Sequence, residues 1–442
     1  MNSDAHARQV LVTKIVAAAT SYGFVILLAR VMKPEEFGLV AYFLNIALLV
    51  SVAGACGQQM ALLRFIPQLR AQNKTSDLAT LISAAFRRAV LGGFAGGLLC
   101  FIGFAISRWS GTKTFEPQVM LFGFALIPAL GWIDIQSHLA RALGFYRLSL
   151  IPKEILWRAG SGTIVLGLYL ANSHAVVAIK PVLITMLLVL IVLALAQRYY
   201  LSTLTTFAQI QHRQTPAKPG KDRAKASGRF WISSVSNIFL ANADVIAVGI
   251  FAGPFEAGIY FAANRLAQVL AFFATSYNIV IAPKLAAAWH EGRIARSNDI
   301  LRNATIKSSL PTLVLGLILW QLSPFFLQLF GPGFTGAELP LKILIIAGIV
   351  NTAAGPSDIA LKMCGFEKAA VRAAAASVIF STLALIIGGV AWGASGVATA
   401  VLIATVFRKA LYWGLTFRYL TVRCDILSAL WSTRKHQISP QI

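Results

Sequence analysis

Twelve apolar runs, each long enough to cross a bilayer, follow one another along this chain, and no other feature constrains its fold more. The hydrocarbon core of a membrane is about 30 Å thick, a distance a helix covers in roughly 20 residues. Runs of that kind occupy positions 10–31, 37–63, 89–107, 119–142, 151–170 and 175–196, then 230–251, 257–282, 306–329, 339–361, 369–392 and 396–416. The composition agrees. Hydrophobic residues make up 57% of the 442 and charged residues only 12%, about half the charge a soluble domain carries. The sequence therefore predicts an all-α polytopic membrane protein of about twelve transmembrane helices.

The remaining charge is lopsided, with Lys+Arg 39 against Asp+Glu 16 and a formal net charge of +23. Nucleic acid or anionic lipid would each attract such a chain, and the apolar spans decide for membrane lipids and against nucleic acid. The cations also alternate between loops. Arg64, Arg70 and Lys74, then Arg147 and Lys153, then the basic stretch 198–229, fall on one side. Lys284, Arg293, Arg296 and Arg302, then Lys362 and Lys368, then Arg423, Arg434 and Lys435 continue it. The other side has Lys33, Arg108 and Lys113 and little more. By the positive-inside rule the first side is cytoplasmic, as are both termini, and the expected location is a bacterial inner membrane. The apolar run after Met1–Arg8 is too long for a signal-peptide core, so it is expected to remain as the first helix.

Three local patterns recur in the same order in each half. Pro34-Glu35-Glu36-Phe37-Gly38 matches Pro254-Phe255-Glu256-Ala257-Gly258, and Pro67 and Pro283 are read as ending the second and eighth spans. Arg141-Ala142-Leu143-Gly144-Phe145-Tyr146-Arg147 matches Lys362-Met363-Cys364-Gly365-Phe366-Glu367-Lys368. The expected organisation is thus an N-terminal six-helix lobe (1–197), a basic cytoplasmic linker (198–229), a C-terminal six-helix lobe (230–420) and a cytoplasmic tail (421–442). Because each half holds an even number of spans, the two share one orientation. An axis along the membrane normal should relate them, with a substrate path between.

No D-x-D, H-E-x-x-H, G-x-S-x-G or Walker A motif is present, and Cys56, Cys100, Cys364 and Cys424 are scattered. Neither enzyme chemistry nor a metal site nor a cofactor is expected. The informative residues are ionisable ones at membrane depth, which are costly in lipid and usually face a cavity or a partner. They are Lys14, Arg30, Asp134, His138, Arg158, Lys180, Asp244, Arg265, Lys342, Asp358 and Arg408. Arg30, Lys14, Lys342 and Arg408 are within snorkelling reach of an interface, whereas Arg158 and Arg265 lie deeper. The predominance of cations suits a substrate carrying a diphosphate, whose oxygens guanidinium groups bind bidentately. Lys14, Arg158 and Arg265 are the candidates for that role. Asp244, and the pair Asp134 and His138 one helical turn apart, are candidates for coupling to a proton or sodium ion. Each also has a structural reading, as a buried pair or hydrogen bond.

The stretch Leu28-Ala29-Arg30-Val31-Met32-Lys33-Pro34-Glu35-Glu36-Phe37-Gly38-Leu39-Val40-Ala41-Tyr42 resembles the opening of the polysaccharide-transporter family. These are the O-antigen and exopolysaccharide flippases of the multidrug/oligosaccharidyl-lipid/polysaccharide (MOP) superfamily. Ala243-Asp244-Val245-Ile246-Ala247-Val248-Gly249 through Gly258-Ile259-Tyr260 is similar to the family's seventh and eighth helices, and Leu329-Phe330-Gly331-Pro332-Gly333-Phe334 to its loop after the ninth. The resemblance implies a two-lobed, MATE-like carrier with alternating access. Its substrate would be an undecaprenyl-diphosphate-linked oligosaccharide, moved to the outer leaflet for surface polysaccharide synthesis. A polysaccharide polymerase or chain-length regulator is a candidate partner. A drug–cation antiporter of the same superfamily would favour internal acids over cations, and the balance here points the other way. A polysaccharide polymerase would need a large outer loop, and the sequence offers none.

Overall fold

The computed structural model describes residues 3–72, 75–109, 116–173, 175–203, 221–420 and 425–426. Lys74, Lys113, the linker residues from 204 to 220 and the tail cations Arg423, Arg434 and Lys435 lie outside the described residues. The fold is all-α, as apolar sequence in lipid requires, because a helix satisfies its backbone hydrogen bonds internally. Contacts divide the chain into two compact units, residues 1–246 and 247–442.

In the first unit, α1 (Ser3–Val31) and α2 (Pro34–Gly54) are joined by a turn in which Pro34 opens the second helix. Proline fits there because the first helical N–H groups have no intrahelical partner. The second span breaks at Cys56 and Gly57, both at positive φ, and resumes as α3 (Gln58–Ala71). A side chain at Gly57 would strike the backbone of Ser227 and Trp231, so only glycine serves at this break. Then come α4 (Thr75–Trp109), α5 (Pro117–Ala142), α6 (Tyr146–Leu150), a π-helical turn (Ile151–Leu156), α7 (Trp157–Ala171) and α8 (Ile179–Thr203). Helix α9 (Lys221–Phe251) begins within the predicted linker and crosses the boundary between the units. Helix α5 is central in this unit, packing against α2, α3, α4 and α8.

The second unit repeats the pattern. Helices α10 (Gly253–Gln268) and α11 (Ala271–His290) form one span bent by 47°, the counterpart of the broken α2–α3. Helix α12 (Ile294–Gln321) continues into the short α13 (Ser323–Gln328). A 3-10 turn (Pro332–Ala337) leads into α14 (Glu338–Ala353) and α15 (Ser357–Met363). The 54 residues of α16 (Glu367–Leu420) would reach roughly 80 Å if straight. Non-helical Trp392 and Gly393 divide them into the two predicted spans.

Among the described residues eight helices are long and apolar enough to cross a membrane, and the bent α10–α11 makes a ninth span. Dividing α16 in two, and adding α6–α7 and α12–α13, yields the twelve-helix, two-lobed arrangement expected from sequence. Two helix ends differ from the expectation. Pro67 lies inside α3, and α11 runs through position 283 to His290. A proline inside a helix removes one donor, and neither position ends its helix.

Candidate functional site

In the first unit a buried polar centre forms where α5 meets the π-helical turn. Asp134 and His138 stand one turn apart on α5. His138 Nδ1 lies 2.9 Å from the Asp134 carbonyl oxygen and 3.5 Å from its carboxylate. Lys153 donates to the same carboxylate and forms an ion pair with it, and the Gln59 side chain adds a hydrogen bond from α3. The π turn explains how Lys153 arrives. Pro152 cannot donate, the turn widens to i→i+5, and the lysine swings toward α5 instead of out to solvent. Around this centre Arg141 Nε donates to Ser149 Oγ at 3.3 Å, and Gln197 Nε2 to the Leu148 carbonyl at 2.8 Å. The sequence counts Lys153 among the loop cations and pairs Asp134 with His138 alone, so the lysine is the member that it missed.

One turn beyond, Arg158 Nη1 donates to the Glu154 carbonyl at 2.8 Å and lies 3.6 Å from the Glu154 carboxylate. Its guanidinium covers the Trp157 ring at 4.7 Å, and Trp157 meets Phe24 of α1 edge-on at 5.7 Å. Lys14 is exposed on α1. Asp244 is buried on α9, where its carboxylate accepts the Val245 N–H at 2.9 Å. The structure thus brings Asp134 and His138 together, while Lys14, Arg158 and Asp244 sit on separate helices.

The second unit holds the remaining candidate, Arg265 on α10. Its Nη1 donates to Gln268 Oε1 at 3.1 Å, and Gln268 in turn donates to Asn264 at 3.3 Å. The guanidinium covers Phe261 at 4.7 Å, the same separation as Arg158 over Trp157. A ring face attracts the cation and keeps the guanidinium plane oriented. A second cluster surrounds Asp358 in the first turn of α15. Lys362 approaches it at 3.8 Å, and Arg408 and Lys409 also face it. Arg408 donates to Asn351 at 3.0 Å and Lys409 to the Gly355 carbonyl at 3.1 Å. Two further cations from the sequence have close acidic partners. Lys180 pairs with Glu116 at 2.5 Å and Lys342 with Glu338 at 2.7 Å. Among the described residues no group of three or more His, Cys, Asp or Glu could hold a metal ion.

The sequence profile described as "polysaccharide biosynthesis protein" matches residues 8–289, well over half of the chain. The chain belongs to the polysaccharide biosynthesis protein family. Solved structures of similar fold are membrane transporters and a flippase. An inward-facing multidrug-resistance MATE transporter of the MOP superfamily aligns with TM-score 0.70 at 11% identity, over 98% of this chain and 100% of its own. The lipid II flippase MurJ, in an inward closed conformation, aligns with TM-score 0.65 at 13% identity, over 98% and 94%. The Vibrio cholerae MATE transporter VcmN in its bent form aligns with TM-score 0.56 at 13% identity, over 91% and 98%. At these identities the likeness establishes the fold. No curated protein sequence matches the chain. The family member described here is accordingly a multi-pass membrane protein of the MOP fold, with saccharide biosynthesis as its setting.

Proposed function

We propose that this protein is a flippase that moves a lipid-diphosphate-linked oligosaccharide from the cytoplasmic to the outer leaflet of a bacterial inner membrane. The step supplies repeat units for surface polysaccharide. Both termini face the cytoplasm, as the alternating basic loops indicate. The observation that carries the reading is the pair of ring-stacked arginines, Arg158 and Arg265, each at membrane depth and one in each unit. A guanidinium held in a low-dielectric setting binds phosphate oxygens more strongly than one in water. Lys14, exposed on α1, adds a third cation for the diphosphate. The oligosaccharide takes a polar route through the protein and the polyprenyl chain stays in lipid. Asp244 is the coupling candidate for a proton or sodium ion. Asp134 and His138 are secondary candidates, since Lys153 already occupies Asp134. A polysaccharide polymerase or chain-length regulator receives the product.

A drug–cation antiporter would need acids exposed to a cationic ligand, whereas Asp134 is tied to Lys153 and Asp358 is faced by three cations. The two readings separate in cells. Arg158→Glu and Arg265→Glu should each abolish surface polysaccharide while the protein still accumulates in the membrane, and lipid-linked repeat units should build up inside. Normal surface polysaccharide in both variants, or protection of a drug-hypersusceptible strain by the wild type, would overturn the proposal.

A further inference from the structure

Helix α5 packs against both α4 and α8, and an apolar groove of about 670 Å³ runs between those two helices with α5 as its floor. Phe94, Leu98 and Phe101 of α4 form one wall, and Leu187 and Ile191 of α8 the other. The floor is shallow-sided because Ala125 and Ala129 of α5 are small. All three helices are membrane spans, so the groove opens at hydrocarbon depth.

One end of this groove is cationic. Arg87 stands three residues before Val90 and seven before Phe94, so it lies on the groove face of α4. Arg198 stands seven residues after Ile191 and lies on the groove face of α8 by the same spacing. Side chains of the two helices meet here, the Arg198 guanidinium covering the ring of Phe86, the neighbour of Arg87, at 5.1 Å. The floor helix contributes a polar group at the same end. Gln136 follows Trp132 by four residues and Ala129 by seven, and is fully buried. Both of its amide atoms have no hydrogen-bond partner among the described residues. A buried amide in that state is expected to have a water or ligand as its partner. This end is the one reached from the basic loop before α4, the side read above as cytoplasmic.

We infer that this groove is a lateral docking site for the polyprenyl chain of a lipid phosphate, with Arg87 and Arg198 binding the phosphate. The inference rests on the flippase reading above and names where the first lobe meets the carrier lipid. Bilayer interior is as apolar as the groove, so the groove contributes shape and not transfer free energy. Recognition therefore falls on the phosphate, through charge-assisted bonds from guanidinium. A diacyl phospholipid brings two chains to each phosphate. A single groove beneath one cationic mouth matches a one-chain isoprenoid.

The test uses the full-length protein in phosphatidylcholine nanodiscs and a photoactivatable undecaprenyl monophosphate, with cross-linked peptides read by mass spectrometry. Cross-links are expected on the α4 and α8 walls. Arg87→Gln and Arg198→Gln should each lower labelling roughly tenfold, and Ala125→Leu, which fills the floor, should lower it as far. Arg87 is exposed, so its variant decides if loss of the Arg198 stacking disturbs folding. Undecaprenol, which lacks the phosphate, and excess phosphatidylglycerol should both compete poorly. Labelling that ignores Arg87→Gln and Ala125→Leu would overturn the site. Displacement by phosphatidylglycerol as effective as by undecaprenyl phosphate would overturn the choice of ligand. Repeat-unit flipping by the same wild-type preparation reports on the underlying reading separately: absent flipping sinks that reading, while intact flipping with unchanged labelling sinks only the groove.

Discussion

Asp134 and Asp358 stand toward the same end of the fourth span in each half of the sequence, and their surroundings differ in kind. Asp134 is enclosed: its side chain is 12% exposed, and one lysine, delivered by a π-helical turn, neutralises it with help from Gln59 and His138. Asp358 is open, 34% exposed at its side chain, and three cations share it. The first is a one-to-one tie whose members depend on each other, because a charge left alone in a buried place is costly. The second is redundant and wetted, so no single cation is indispensable to the carboxylate. Cations counted together in the sequence thus divide into one locked to a buried carboxylate and several that share a partly exposed one.

The comparison breaks most readily at Lys153. Lys153→Met strands Asp134 and is expected to destabilise the protein by about 3–5 kcal/mol, seen as a large drop in the unfolding temperature in detergent. Asp134→Asn combined with Lys153→Met should recover most of that loss. If the single variant is as stable as wild type, the first centre is not a tie.

The next effect should be equal in the two units. Gly54 meets the backbone of Gly92 in the first, and Gly388 meets Gly396 across the α16 bend in the second. Gly92→Leu and Gly396→Leu each force helices apart at these contacts and should cost about 1–3 kcal/mol in the same unfolding measurement. A loss confined to one unit would argue against the repeated design.

Smaller again is Asn351→Ala, which removes the 3.0 Å partner of Arg408 and should cost about 1 kcal/mol. The smallest is Lys362→Ala. A half-exposed pair at 3.8 Å with two other cations close by should change stability by at most about 1 kcal/mol. A loss there as large as at Lys153 would erase the distinction between the two centres.

The spans were legible because a membrane helix must be apolar over its whole length, and that requirement is local. The repeat was legible through its turns, where Pro34 and Pro254 each start a helix. Breaks within spans were not. Cys56–Gly57 interrupts a run that hydropathy reads straight through, although Gln58 and Gln59 follow at once, and the 47° bend after Gln268 falls among leucine, valine and alanine. Asp134 and His138 were paired by their spacing, yet Lys153 escaped because its route to Asp134 depends on a π turn that hydropathy does not encode. A proline directly before a lysine near a helix start was the available clue. Arg87 and Arg198 lie just outside the apolar runs 89–107 and 175–196, where a cation carries no distinctive signal. Only the packing of α4 and α8 against α5 puts them at one end of one groove.

The proposed flippase carries a lipid diphosphate across the bilayer by means of Arg158 and Arg265. Its most direct test follows the leaflet of a lipid-diphosphate-linked oligosaccharide in vesicles containing the purified protein, with the sugar read by an impermeant lectin or glycosidase. Wild-type protein should expose the sugar on the far leaflet, and Arg158→Glu and Arg265→Glu, folded and inserted alike, should not. Sugar that stays on its original side with wild-type protein, or that crosses equally well with both variants, would contradict that role.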